Sequence, residues 1–210
     1  MNQPGAVPKG LMPVLFAGVL MAALDTAMVG PALPAIERDL NAGTFVLSWV
    51  FSAFALATLV ATPFMAKLSD RFGRRPVFLL CVVLFAAGSL LVALSGNIIM
   101  LLAGRVIQAV GAGGVFPVAS AVIGDHWPAE KRGAALGILG SVFGIGFLLG
   151  PLFGALLLPL GWQFLFLINL PIAAWIYWRA RQVLPAGEAD GVAVGGALGG
   201  DRHPGDARRR

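Results

Sequence analysis

Residues 66–76 read Ala-Lys-Leu-Ser-Asp-Arg-Phe-Gly-Arg-Arg-Pro. Five charges fall in the nine residues from Lys67 to Arg75, between two predominantly apolar stretches at 46–66 and 76–95. A bilayer core takes about 20 apolar residues to cross as a helix, so this segment reads as a short turn between two membrane spans. Gly73 permits a tight turn, and Pro76 suits the first turn of the next helix. Anchoring by positive charge accounts for the basic residues alone. It does not call for Asp70 beside Arg71, or for the Gly73-Arg74-Arg75 step.

Four further stretches of spanning length lie at 11–33, 98–122, 134–158 and 163–180. Most are too long for strands and show no period-2 alternation. In lipid every backbone group must be satisfied within the segment, which requires helices. The expectation is an all-α membrane protein of six transmembrane helices. Composition agrees: 58% of the 210 residues are hydrophobic and 12% charged, against about 45–50% and 25% in soluble domains. A soluble core of this size cannot hide so much apolar surface. The single cysteine, Cys81, excludes a disulfide scaffold and reads as an inert core thiol. The first stretch follows Lys9, yet it outruns a signal-peptide core and lacks a small-residue cleavage site, so it reads as an uncleaved span.

The net charge of +5 raises nucleic acid as a partner, but its distribution gives another account. One set of connections and ends holds Lys9, Lys67, Arg71, Arg74, Arg75, Lys131, Arg132, Arg179, Arg181, Arg202 and Arg208–Arg210; the opposite set holds Arg38. This bias places both termini in the cytoplasm of an inner or plasma membrane and removes the argument for nucleic acid. After Pro185 the chain turns polar and glycine-rich. The division expected is a membrane unit at 1–182 and a flexible Gly/Arg-rich cytoplasmic tail at 183–210. Arg208–Arg210 read as a solvated end or as a contact to anionic lipid. The segment Gly124–Gly133 reads as a cytoplasmic turn with local ion pairs, and its His126 as a lone loop histidine without a metal role. Trp162, Trp175, Tyr177 and Trp178 fall near the expected ends of spans, where interfacial aromatics sit.

Two ionisable residues stand well inside the spans, Asp25 in the first and Arg105 in the fourth. Charge at that depth costs at least about 2.5–3.5 kcal/mol per residue and is found facing a cavity or a partner. Counted from Leu33 and from Asn97, both lie about 12 Å below the same surface, so a pair or a shared cavity is open to them. A carboxylate in such a place can load and release a proton; a static pair that fixes two helices is the alternative. Gln108 shares the helical face of Arg105 and would contact either substrate or a neighbouring helix.

With these residues placed, the chain resembles the major facilitator superfamily. Residues 66–75 resemble its loop motif G-x-L-A-D-R-x-G-R-R. Leu24-Asp25-Thr26 through Ala32-Leu33-Pro34 resembles the first-span motif of the branch with fourteen spans, the drug/proton antiporters. Leu101–Gly111, with Arg105 and Gln108, resembles the fourth-span motif L-x-x-x-R-x-x-Q-G-x-G. Gly146–Gly154 resembles the fifth-span antiporter motif G-x-x-x-G-P-x-x-G, and Ile168-Asn169-Leu170-Pro171 is similar to this branch too. The resemblance covers residues 11–185. Ala66, Ala109 and Ala155 replace glycines of the pattern, and Gly30 stands where asparagine is usual. Read by themselves, Gly140, Gly144, Gly146, Gly150 and Gly154 let backbones approach closely, and Pro151 removes one hydrogen bond and bends the helix.

The resemblance implies one facilitator half built from two inverted three-helix repeats, with spans 1 and 4 equivalent. It implies transport of small molecules by alternating access, in the manner of proton-coupled multidrug efflux. Asp25 and Arg105 would couple protons, with Gln108 and Thr26 touching substrate or a helix. Asp70, Arg71, Gly73, Arg74 and Arg75 would form the cytoplasmic gate. Gly146, Gly150, Pro151 and Gly154 would form the packed antiporter segment. No cofactor or metal is implied. The partners are the bilayer, protons, a small-molecule substrate and a second six-helix half, from a second copy or a separate chain. The alternatives are a fragment or frameshifted product, or a non-transporting membrane subunit that works only with a second half. An intramembrane protease would need a serine–histidine pair in the membrane; His126 and His203 both lie outside the spans, so no enzyme activity is expected.

Overall fold

The computed structural model describes residues 10–185. Helices run over α1 (Leu11–Leu40), α2 (Thr44–Phe72), α3 (Arg74–Ala93), α4 (Ile98–His126), α5 (Ala129–Leu157), α6 (Phe164–Leu167) and α7 (Asn169–Val183), with a 3₁₀ turn at Leu158–Leu160. No strand occurs among the described residues. Helices α1 to α5 are each long and apolar enough to cross a membrane. The sixth span is α6 and α7 together. Pro171 has no N–H to offer the carbonyl of Leu167, so the helical ladder is interrupted at Ile168. Residues 164–183 still rise about 30 Å, the thickness of a bilayer core.

The helices outrun the apolar stretches. Helix α1 continues through Pro34, Glu37, Arg38 and Asp39 to Leu40, and α2 through Lys67, Asp70 and Arg71 to Phe72. Charged residues with good helix propensity continue a helix once it has left the bilayer. The expected turn at 67–76 therefore shrinks to Gly73, at φ 93°, a left-handed position that glycine takes without strain. At the other ends, Asn41 closes α1 with φ 47°, and the Asn97 side chain caps α4 by accepting from the Met100 N–H at 2.9 Å. Pro128 stops α4 at its preceding residue, Trp127. Residues 186–210, most of the expected tail, lie outside the described residues.

The core has two apolar halves. One, toward Gly73, gathers Leu15, Met21, Phe78, Phe85, Val118, Val122 and Ile176; the other gathers Met28, Val50, Leu101, Trp162 and Phe166. Between them lies a buried polar layer of Asp25, Ser89, Arg105, Gln108 and Asn169. Helices α1, α3 and α4 are packed on several sides, whereas α2 and α5 are packed on one side and exposed on the other. The glycines of α5 divide accordingly. A Cβ at Gly146 would meet Ala23 and one at Gly150 would collide with Ala27, so these two, with Gly154 beside Pro31, seat α5 on α1. Gly140 and Gly144 face open space among the described residues.

The aromatic residues are corrected in part. Trp162 is a core residue, 1% exposed, and its indole donates to Asp39 at 2.9 Å, tying the α5–α6 connection to the end of α1. Trp175 falls mid-way along 164–183 rather than at an end. Trp178 remains exposed near the end of α7.

Candidate functional site

The polar layer is one connected network. Arg105 Nη1 donates to Asp25 Oδ2 at 2.6 Å and to Gln108 Oε1 at 2.6 Å. Gln108 Nε2 donates to Asp25 Oδ1 at 2.7 Å and to Ser89 Oγ at 2.7 Å. Asn169 Nδ2 donates to the same Asp25 oxygen at 2.9 Å. The carboxylate thus accepts from three side chains on two other helices, α4 and α7, and both members of the ion pair are at most 1% exposed. In a low-dielectric interior such bonds are strong, and a member left without its partners is costly.

Local packing makes the layer possible. Ser89 reaches Gln108 because Gly88 faces the α4 backbone directly; a Cβ there would collide with the backbone of Gln108. The two carriers of charge do meet, as their depths below the end of the apolar stretch allow. Helix α1 runs to Leu40, so Asp25 sits about 22 Å from its end and Arg105 about 10 Å from the start of α4. The end of α1 therefore projects beyond its neighbour, to where Asp39 meets Trp162.

Above the guanidinium lies Phe54 of α2, its ring centroid 4.0 Å from Arg105 Cζ, a cation–π distance. One turn earlier the Val50 carbonyl accepts from Arg105 Nε at 3.5 Å. Arg105 Nη2 is buried and has no hydrogen-bond partner among the described residues. Phe54 also lines a cavity of about 260 Å³ between α1, α2, α4 and α5, together with Thr26, Thr58, Thr62, Phe116 and Phe143. It is therefore the wall between this cavity and the ion pair. Thr26 and Thr62 donate their hydroxyls to backbone carbonyls one turn back, at 3.0 and 2.8 Å, and Thr58 donates to the Ala109 carbonyl at 3.5 Å. Their oxygens keep lone pairs toward the cavity. Phe116 and Phe143 form a tilted ring pair with centroids 5.4 Å apart. The lining offers π faces and acceptors without charge.

At the Gly73 end Arg74 is the hub of the charged residues. It holds Asp70, and it also donates to Ser69 Oγ at 2.9 Å and to Asp125 Oδ2 at 2.9 Å. Asp125 was expected in a local pair of its own turn; it instead joins α4 to α3. Arg71 lies over the ring of Phe72 at 5.4 Å, and Arg75 donates to the Arg181 carbonyl at 2.5 Å, closing the end of α7. Arg132 turns back to the Trp127 carbonyl at 2.9 Å, and His126 Nδ1 lies 3.0 Å from the Val122 carbonyl.

Ser89 and Phe54 were not singled out in the sequence, and Asn169 only by resemblance. The signal for Ser89 was a hydroxyl beside glycine in an otherwise apolar run; Phe54, one of fourteen phenylalanines, gave none.

Comparison with known proteins agrees with this architecture. The family model described as Major Facilitator Superfamily matches residues 15–193. The chain belongs to that superfamily. It is 46% identical over 158 residues to the uncharacterized MFS-type transporter YfiU of Bacillus subtilis, covering 74% of this chain and 30% of that protein. It is 42% identical over 172 residues to the efflux pump dotC of Dothistroma septosporum, covering 81% and 30%. Its fold matches a partially occluded, inward-open structure of the xylose transporter XylE from E. coli with a TM-score of 0.75 at 17% identity, covering 82% of this chain and 47% of that one. This facilitator chain thus spans about a third of the two curated relatives and about half of the solved structure. It is a multi-pass membrane protein with the fold of one facilitator half.

Proposed function

We propose that the chain forms the first half of a proton-coupled exporter of small apolar molecules that carry hydrogen-bond donors or positive charge, working by alternating access. The observation that carries the reading is the Asp25–Arg105–Gln108 network, separated from a cavity by one aromatic ring. As an ionised group Asp25 is an acceptor only, and both its oxygens face N–H donors. A proton on it would set an O–H against one of those donors. Proton arrival and departure of the Arg105 or Gln108 contact are therefore one event, which couples protonation to movement of α1 against α4. The uncharged π-faced cavity suits a cation or a donor-bearing apolar molecule. The name of the relative dotC, an efflux pump, favours export.

The Gly73 end, where Lys67, Arg71, Arg74, Arg75, Lys131, Arg132, Arg179 and Arg181 gather, faces the cytoplasm in this reading. The Asp70–Arg74–Asp125 cluster with Arg71 acts as the gate there. A second six-helix half covers the open sides of α2 and α5, where Gly140, Ser141 and Gly144 allow close approach.

The test uses everted membrane vesicles holding the chain together with its second half, with an imposed pH gradient and a fluorescent organic cation. Gradient-driven dye movement is expected with the wild type and none with Asp25→Asn, while dye binding persists. Gradient-driven movement retained by Asp25→Asn overturns proton coupling at this residue. Robust efflux from a crosslink-proven monomer overturns the need for a second half.

A further inference from the structure

We infer that the outer groove between α3 and α7 is a binding site for one anionic phospholipid, with its headgroup held by Arg75 and Arg181. Val82, Ala86 and Leu90 of α3 face Leu170, Ala174 and Tyr177 of α7 across an apolar depression of about 400 Å³. The alanines leave room between the helices that no described side chain fills. From Val82 to Leu90 the groove runs about 12 Å, close to the half-thickness of about 15 Å that one leaflet offers an acyl chain.

The cationic mouth lies on the same two helix stripes. Arg75 stands two turns before Val82 on α3, and Arg181 one turn after Tyr177 on α7, which matches helical spacing. The Arg181 guanidinium sits 5.8 Å from the Tyr177 ring, and Arg75 bonds the Arg181 carbonyl at 2.5 Å, so the two arginines converge at the groove's end. Neither is ion-paired among the described residues. The nearby carboxylates of Asp70 and Asp125 are both held by Arg74. Two unneutralised guanidiniums at the depth of a headgroup, above a chain-wide apolar groove, present phosphate-binding forks to the charge that lipid carries. Basic pockets between membrane helices take anionic headgroups in this way.

The experiment is native mass spectrometry of the purified chain in detergent supplemented with equal phosphatidylglycerol and phosphatidylcholine. One retained phosphatidylglycerol per chain is expected, favoured over phosphatidylcholine. Arg75→Gln and Arg181→Gln should each lower that preference about fivefold, the equivalent of about 1 kcal/mol per basic residue. Ala174→Trp should remove the retained lipid by filling the groove. Arg132→Gln, at the same end but on α5, should leave the preference unchanged, and far-ultraviolet circular dichroism checks that each variant stays folded. Equal retention of the two lipids by the wild type overturns the site. So does a loss with Arg132→Gln as large as that with Arg181→Gln, which would reduce the effect to diffuse surface charge.

Discussion

Arg105 meets Asp25 at 2.6 Å in the middle of the bundle, and Arg74 meets Asp125 at 2.9 Å at the Gly73 end. The chemistry is the same and the surroundings are opposite. The first pair has no exposure to speak of and is held by Gln108 and Asn169, both of which donate to Ser89; Asp125 of the second is 47% exposed. Charge in the interior is uncompensated once a partner leaves, whereas water replaces a lost partner at the surface. Opening the interior pair is thus costly, whereas the surface cluster is a contact that can be made and broken at small cost. With Asp25 as the proposed proton site and the Gly73 end as the proposed gate, that division matches what each would have to do.

Variants can break this contrast. The largest effect is expected from Arg105→Ala, which strands Asp25 among amides; a loss of about 3–5 kcal/mol should appear as a lower unfolding midpoint in detergent. A much smaller loss would mean that water already reaches the pair. Next comes Gly88→Ala, whose Cβ would collide with the backbone of Gln108. Pushing α3 from α4 should cost about 1–3 kcal/mol in the same measurement. Ser89→Ala takes an acceptor from Gln108 and Asn169 and should cost about 1–3 kcal/mol, with Arg105 and Gln108 still in place. The smallest effect is expected from Asp125→Asn, at most about 1 kcal/mol and declining with added salt. A loss with Asp125→Asn that matches Arg105→Ala would erase the distinction between the two clusters.

Much of this was legible from residue types. Apolar stretches located the helices, because a bilayer demands length and apolarity together. Asp25 and Arg105 stood out because charge in such stretches is rare, and equal depth brought them toward each other. What stayed hidden was contact at a distance. Nothing local to Asp125 tells that its partner is Arg74 rather than a neighbour in its own turn. The glycines of α5 look alike along the sequence, and only the position of α1 separates Gly146 and Gly150 from Gly140 and Gly144. Trp162 read as interfacial because aromatic residues near span ends commonly are; the overhang of α1 supplies Asp39 and draws it inside. Phe54 carries no mark of its own, since its role as a wall depends on what lies on its two faces.

Asp25→Asn is the most direct test of the central claim, that proton binding at Asp25 and helix movement are one event. Asparagine keeps the shape and one acceptor oxygen but cannot take up a proton. In vesicles with an imposed pH gradient, the account predicts that this variant, assembled with its second half, binds the organic cation and shows no gradient-driven movement of it. Movement at the wild-type rate with the wild-type pH dependence would contradict the account.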